Sequence, residues 1–121
     1  MGRIRSFRQL EPWKEAHRLT LLVYEVTKAL PRDERYGLVP QMRRAAESVS
    51  ANFVEGFKRR GIREKMRFYN VAEGSLEELK YFFILCQDLG YQDAIEELRD
   101  KSKTVGRLLN GMIRSTERRR A

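Results

Sequence analysis

The 121-residue chain is poor in the residue types on which most metal and redox chemistry rests: it has one cysteine, Cys86, and one histidine, His17. A lone cysteine excludes an internal disulfide framework and any cysteine-based zinc cluster within one chain; a lone histidine excludes most His-rich metal sites. Three prolines and eight glycines leave few obligatory turns. No apolar run approaches the ~20 residues needed to span a bilayer, and Met1-Gly2-Arg3-Ile4-Arg5 leads into no signal-like stretch. Strand-like alternation is absent. These absences predict a soluble cytoplasmic protein without cofactor or metal.

What is present is apolar and charged in the proportions of a helical protein, 41% and 35% respectively. The length suits one domain spanning 1–121, with enough chain for one hydrophobic core. Punctuation divides it into four periodic stretches, about 12–30, 38–59, 62–89 and 92–117. Pro12 opens the first and Pro31 closes it, because proline is tolerated in a first helical turn and disfavours helix in the residue before it. Arg59-Arg60-Gly61 breaks the second from the third, and Gly90 reads as a C-terminal cap.

The apolar spacing is helical throughout. The stripes are Trp13, Ala16, Leu19, Leu22, Val23, Tyr24, Val26 and Leu30 in the first stretch, and Leu38, Met42, Ala45, Val49, Phe53 and Phe57 in the second. Phe68, Ala72, Leu76, Leu79, Phe82, Phe83 and Cys86 follow in the third. Ile95, Leu98, Ser102, Val105, Leu109, Met112 and Thr116 complete the fourth. Four helices with short connections predict an all-α, antiparallel up-down-up-down four-helix bundle.

That topology sorts the charges. The 25 Lys and Arg residues against 17 Asp and Glu leave a net +8. The N-terminus, the turn between the second and third helices, and the C-terminus must share one end. The first contributes Arg3, Arg5 and Arg8, for +3. The turn contributes Lys58, Arg59, Arg60, Arg63, Lys65 and Arg67 against Glu64, for +5. The C-terminus contributes Arg114, Arg118, Arg119 and Arg120 against Glu117, for +3, so this end totals +11. At the other end the connection 30–37 is neutral and residues 88–100 carry −4. Basic residues at helix C-termini complement the dipole, but Arg63, Lys65 and Arg67 open a helix, where the dipole favours acids. The pole reads as an anion- or nucleic-acid-binding surface, with a solvated face and a protein-docking surface as alternatives.

A second pattern lies on the second helix, where Gln41, Arg44, Ser48, Asn52 and Glu55 fall within an arc of about 80° beside the apolar stripe. Ser75 and Glu78 sit one turn apart on the third helix and could face it; Gly56 and Gly74 remove side chains where helices could approach closely. Polar groups ordered at a core margin are normally hydrogen-bonded to one another. The structural reading is a network fixing register or a subunit interface, for example Arg44 with Glu55 or Glu78. The functional reading is a ligand pocket or acid–base pair, though no nucleophile–base pair accompanies it.

Arg35-Tyr36-Gly37-Leu38, Gln41, Arg43-Arg44-Ala45, Ser48, Asn52, Glu55-Gly56, Gly74-Ser75, Glu78 and Leu89-Gly90-Tyr91, with the opening Phe7, Leu10 and Trp13, resemble the bacterial four helix bundle family. That family is also called the 23S rRNA-intervening-sequence or S23 ribosomal protein family. Ser50, Glu73 and Lys80 depart from its usual pattern, standing where a proline, an apolar residue and an acid are common. The resemblance implies a homopentamer of four-helix bundles without enzymatic activity. More distantly it implies likeness to the accessory variability proteins of diversity-generating retroelements, basic pentamers that bind a reverse transcriptase and nucleic acid.

Enzymatic readings of a helical bundle fail on composition. A nuclease of the HEPN type needs an arginine a few residues before a histidine, and His17 has none at that spacing. A ferritin-like di-iron site needs two Glu-x-x-His pairs. Cys86 on an apolar stripe reads as a small core residue, and Trp13 and Tyr24 read as packing anchors. Two functions stay open: a nucleic-acid-binding accessory protein with RNA or DNA on the basic pole, and a scaffolding oligomer that docks a protein such as a nucleic-acid-processing enzyme.

Overall fold

The computed structural model describes residues 4–91 and 95–119. It contains four long helices: α1 (Glu11–Thr27), α2 (Leu38–Lys58), α3 (Ile62–Asp88) and α4 (Ile95–Arg118). Short 3₁₀ turns at Phe7–Gln9 and Arg32–Glu34 precede α1 and α2, and no strand occurs among the described residues. None of the helices is long and apolar enough to cross a membrane among the described residues.

Side-chain partners fix the directions. Between α1 and α2, Thr20 meets Ser50, Tyr24 meets Glu47 and Thr27 meets Arg43, so numbers fall on one helix as they rise on the other. Between α2 and α3, Met42 meets Cys86, Ser48 meets Ser75 and Phe53 meets Tyr69. Between α3 and α4, Gln87 meets Arg99, and Leu76 is the nearest neighbour of Gly106. Each consecutive pair is antiparallel, and α4 packs back against α1 to close the ring. One apolar cluster runs through the middle, drawing Leu19 and Val23 from α1, Met42, Val49 and Phe53 from α2, Leu76, Leu79 and Phe83 from α3, and Leu98, Val105 and Leu109 from α4.

Helix ends follow local chemistry. α1 stops at Thr27, three residues before the expected Leu30. Ala29 and Leu30 bond instead to carbonyls three residues back, a tightening imposed by Pro31 on the residue before it. α3 ends as Gly90 foretold: its φ of 87° is left-handed, Tyr91 N–H reaches the Cys86 carbonyl at 2.8 Å and Gly90 N–H the Gln87 carbonyl at 3.1 Å, a Schellman closure. The expected start of the fourth helix near Gln92 lies outside the described residues. Glu34 ties the two connections at this end together, because one carboxylate oxygen accepts from Leu38 N–H at 3.2 Å and the other from the Tyr91 hydroxyl at 3.1 Å. Gly37 makes room for this, since a Cβ there would stand 2.8 Å from Glu34 Oε1.

The stripes differ from the periodic expectation at several places. Tyr24 and Phe57 are only partly buried and stand outside the core cluster. Near the start of α3 the buried aromatic is Tyr69, 1% exposed, and Phe68 is half-buried at the surface. On α4 Ile113 is buried and Met112 only partly so. The α3 shift follows from Gly56, where α2 and α3 touch: a Cβ at Gly56 would lie 2.6 Å from Tyr69 Cε1, so the tyrosine ring occupies the space a side chain would have taken. Gly74, by contrast, has nothing within 4 Å of its Cβ position. Ser50 also has a partner, the Thr20 hydroxyl at 3.0 Å, which itself lies 2.9 Å from the Ala16 carbonyl; the hydroxyl pair bridges α1 and α2.

Gly56→Ala is therefore expected to destabilise the fold by about 1–3 kcal/mol, the cost of overpacking against a ring that cannot move away. Gly111→Ala, in the body of α4 with nothing within 4 Å of its Cβ position, is expected to stabilise by about 0.5–1 kcal/mol through helix propensity. Urea denaturation of the two variants against wild type checks both signs.

Candidate nucleic-acid interface

The antiparallel order brings the start of α1, the turn at residues 59–61 and the end of α4 to one end of the bundle. Arg119 makes this concrete, since its charge acts on both Lys65 and Tyr69 near the start of α3. Of the cations expected here, Arg5, Arg8, Lys58, Arg59, Arg60, Arg63, Arg114, Arg118 and Arg119 are exposed, and none forms an ion pair among the described residues. Arg3 and Arg120 lie outside the described residues.

Two of the expected contacts have other employment. Lys65 is partly buried, and its Nζ donates to the Phe57 carbonyl at 2.7 Å and the Gly56 carbonyl at 3.3 Å, closing the C-terminus of α2. Burial first, and the Arg119 charge second, hold its pKa below the ordinary lysine value. Arg67 pairs with Glu64 one turn back, at 3.2 Å, a match that lowers the Glu64 pKa and raises that of Arg67. Both partners are exposed, so the pair adds little stability; its effect is to hold Arg67 in place.

The ring of Phe68 organises what remains. Its centroid lies 4.5 Å from the Arg59 guanidinium carbon and 4.7 Å from that of Arg67. Cation–π contact fixes the plane of the Arg59 guanidinium, so it loses little entropy when it meets an anion, while Arg67 stays paired with Glu64. Periodicity assigns Phe68 to the core and so misses this clamp, because which of the adjacent rings Phe68 and Tyr69 turns outward is set by the packing at Gly56. At the N-terminal side Phe7 packs edge-on against Trp13 at 5.2 Å, and Trp13 stacks on His17 at 4.9 Å, so these rings serve packing.

The polar stripe splits into two parts. Its small members join: Ser48 and Ser75 hydroxyls are 2.7 Å apart, and Asn52 Nδ2 donates to the Ser48 carbonyl at 2.8 Å and its hydroxyl at 3.0 Å. Its outer members do not. Gln41, Arg44, Glu55 and Glu78 are exposed, and Arg44 forms no ion pair with Glu55 or Glu78 within the chain. The stripe dips toward the core only at its middle, where hydroxyls are short enough to bridge α2 and α3; longer charged side chains on its flank reach water. An acid–base pair is not assembled there.

The sequence matches the 23S rRNA-intervening sequence protein family over residues 8–111. No curated protein matches. Among solved structures the chain is similar to a protein of unknown function from the S23 ribosomal protein family of Bacteroides thetaiotaomicron VPI-5482, with a TM-score of 0.78 at 18% identity, over 85% of this chain and 95% of that one. At that identity the likeness is one of fold.

Tyr69 links this end to pH. Burial pushes its phenol above the ordinary value of 10.0, with Arg119 pulling the other way. The unfolded chain then loses this proton first, so the stability tied to a neutral Tyr69 is present below pH 10 and is lost as pH rises through the folded value. Lys65, with a lowered pKa, acts with the opposite sign over a similar range. Tyr69→Phe is expected to make the fall of the urea midpoint above about pH 10 shallower than in wild type, a difference that Lys65 cannot produce.

Proposed function

The chain belongs to the 23S rRNA-intervening sequence protein family, and on that premise we propose that it is a non-enzymatic, oligomeric protein of the cytoplasm that binds RNA or DNA through the basic end of its bundle. The observation that carries this reading is the gathering of exposed, unpaired cations from three separate chain segments at one end. Lys65 and Arg67 occupy themselves internally, which leaves the binding to Arg59, Arg60 and Arg63 at the turn, with Arg5 and Arg8 before α1 and Arg114, Arg118 and Arg119 on α4. Flexible guanidiniums of this kind contact phosphates and carry no code for bases, so affinity is electrostatic and sequence-tolerant.

The oligomer in this proposal is a homopentamer, an expectation that rests on the family resemblance. Val71 and Tyr81 on α3 are exposed, and Gly74 lies between them on the same side of the helix with its Cβ position open; this face is where a second copy would dock. Five basic ends placed around one axis would form a continuous ring. The scaffolding alternative, an accessory subunit of a reverse transcriptase or other nucleic-acid enzyme, uses the same assembly with a protein partner in place of nucleic acid.

Binding of generic single-stranded RNA and DNA is expected at low salt and to weaken steeply as salt rises. Arg59→Ala, Arg60→Ala and Arg63→Ala combined are expected to reduce the slope of log affinity against log salt by about 1 for each phosphate contact removed. Lys28→Ala, which removes one charge at the far end of α1, leaves the slope unchanged. Absence of binding at about 50 mM salt, a condition where phosphate contacts are strong, overturns the reading in favour of scaffolding. Sedimentation equilibrium checks the assembly, with a mass near five times the 14.3 kDa chain expected.

A further inference from the structure

The end of the bundle opposite the basic pole also holds a cationic site, which the charge count alone does not reveal. A cleft of about 310 Å³ opens between the C-terminal half of α1 and the first turns of α2, lined by Tyr24, Arg35, Val39, Pro40, Arg43, Arg44 and Glu47. Three guanidiniums converge on it against a single carboxylate. Arg43 is built in: its Nε donates to Thr27 Oγ1 at 2.9 Å, its Nη2 approaches the Tyr24 carbonyl at 3.4 Å, and its guanidinium lies 4.5 Å from the Tyr24 ring centroid. Glu47 accepts a hydrogen bond from the Tyr24 hydroxyl, which directs its charge toward the phenol. Arg35 and Arg44 are exposed and make no ion pair among the described residues. Arg35 rests 5.4 Å from the ring of Tyr36, a side chain 86% exposed.

We propose that this cleft binds a phosphate monoester, the group carried by a free nucleotide or by the 5′ end of a nucleic-acid strand. The lining side chains carry a net +2, which matches the nearly doubly charged form of a monoester at neutral pH; a phosphodiester presents only half of that charge. Planar guanidiniums bind phosphate oxygens in pairs, and Arg43, already held by α1, is preorganised for this. Val39 and Pro40 place the cleft beside the first turn of α2, where the Glu34 carboxylate already accepts from Leu38 N–H, so the arginines and not the helix end supply the positive field. The volume exceeds what a phosphate alone fills and leaves room for the sugar to which it is attached.

Isothermal titration of the full-length protein with adenosine monophosphate, inorganic phosphate and adenosine tests the site. The monophosphate and phosphate are expected to bind and adenosine to fail. Arg35→Ala and Arg44→Ala, at exposed positions that circular dichroism verifies as folded, are each expected to weaken monophosphate binding about tenfold or more, whereas Lys103→Ala, an exposed cation on α4 outside both sites, leaves it unchanged. Binding that survives the Arg35→Ala/Arg44→Ala double variant, equal binding of adenosine, or an equal loss in Lys103→Ala overturns the proposal. A short oligonucleotide with and without a 5′ phosphate separates the two sources. A 5′-phosphate preference lost in Arg44→Ala, with affinity above that of the monophosphate, identifies a strand end; stronger binding of the monophosphate identifies a free nucleotide. Because the mononucleotide readout depends on Arg35 and Arg44, it stands or falls independently of strand binding at Arg59, Arg60 and Arg63.

Discussion

The contact of Gly56 with the Tyr69 ring is the point on which the basic end of this bundle depends. The missing side chain on α2 admits a buried aromatic from α3 and brings the helices close where they leave the turn. With Tyr69 turned inward beside Phe53, 5.5 Å between ring centroids, its neighbour Phe68 is carried outward to the surface. There it becomes the platform for Arg59 and Arg67. The same approach places Lys65 against the last carbonyls of α2. One absent methyl group thus determines which aromatic is core, which cations are fixed and which are left for solvent or an anion.

This has a bearing on how a strongly basic surface coexists with a stable fold. Like charges crowded at one end repel one another, and a net +8 raises that cost. The structure offsets the repulsion locally: a carboxylate beside Arg67, two helix carbonyls on Lys65 and an aromatic face beneath two guanidiniums. The carboxylate cancels one charge, and the carbonyls and the ring stabilise the others without removing them. The uncompensated cations sit at the outer rim, where water screens them and where a polyanion would reach them first.

Much of this architecture is written in the spacing of apolar residues. The helix count, the turn at Gly61 and the left-handed closure at Gly90 follow from period and punctuation, because those signals depend on backbone chemistry alone. The choice between Phe68 and Tyr69, or between Met112 and Ile113, does not. Adjacent helix positions differ by 100°, and either neighbour could border an apolar arc; the choice depends on the shape of the facing helix, a cavity in the case of Gly56. The polar stripe shows a similar limit. Its serines pair across α2 and α3 and Asn52 donates to Ser48 within α2, as hydrogen-bonding need dictates, whereas the positions of Arg44, Glu55 and Glu78 depend on where the surface begins, which no single helix specifies. The cleft formed by Arg35, Arg43 and Arg44 was hidden because its residues come from a neutral connection and a helix body, and only packing against Tyr24 brings them to one place.

The carboxylate of Glu34 joins residues 57 positions apart when it receives the Tyr91 hydroxyl. Its other oxygen closes the start of α2, so a single side chain belongs at once to the first pair of helices and to the connection that leads into the last. Because α2 and α3 run antiparallel side by side, the residue that follows α3 returns to the residues that precede α2. The clasp therefore closes the far end of that pair, opposite the turn at residues 59–61, and holds the connection after α1 to it.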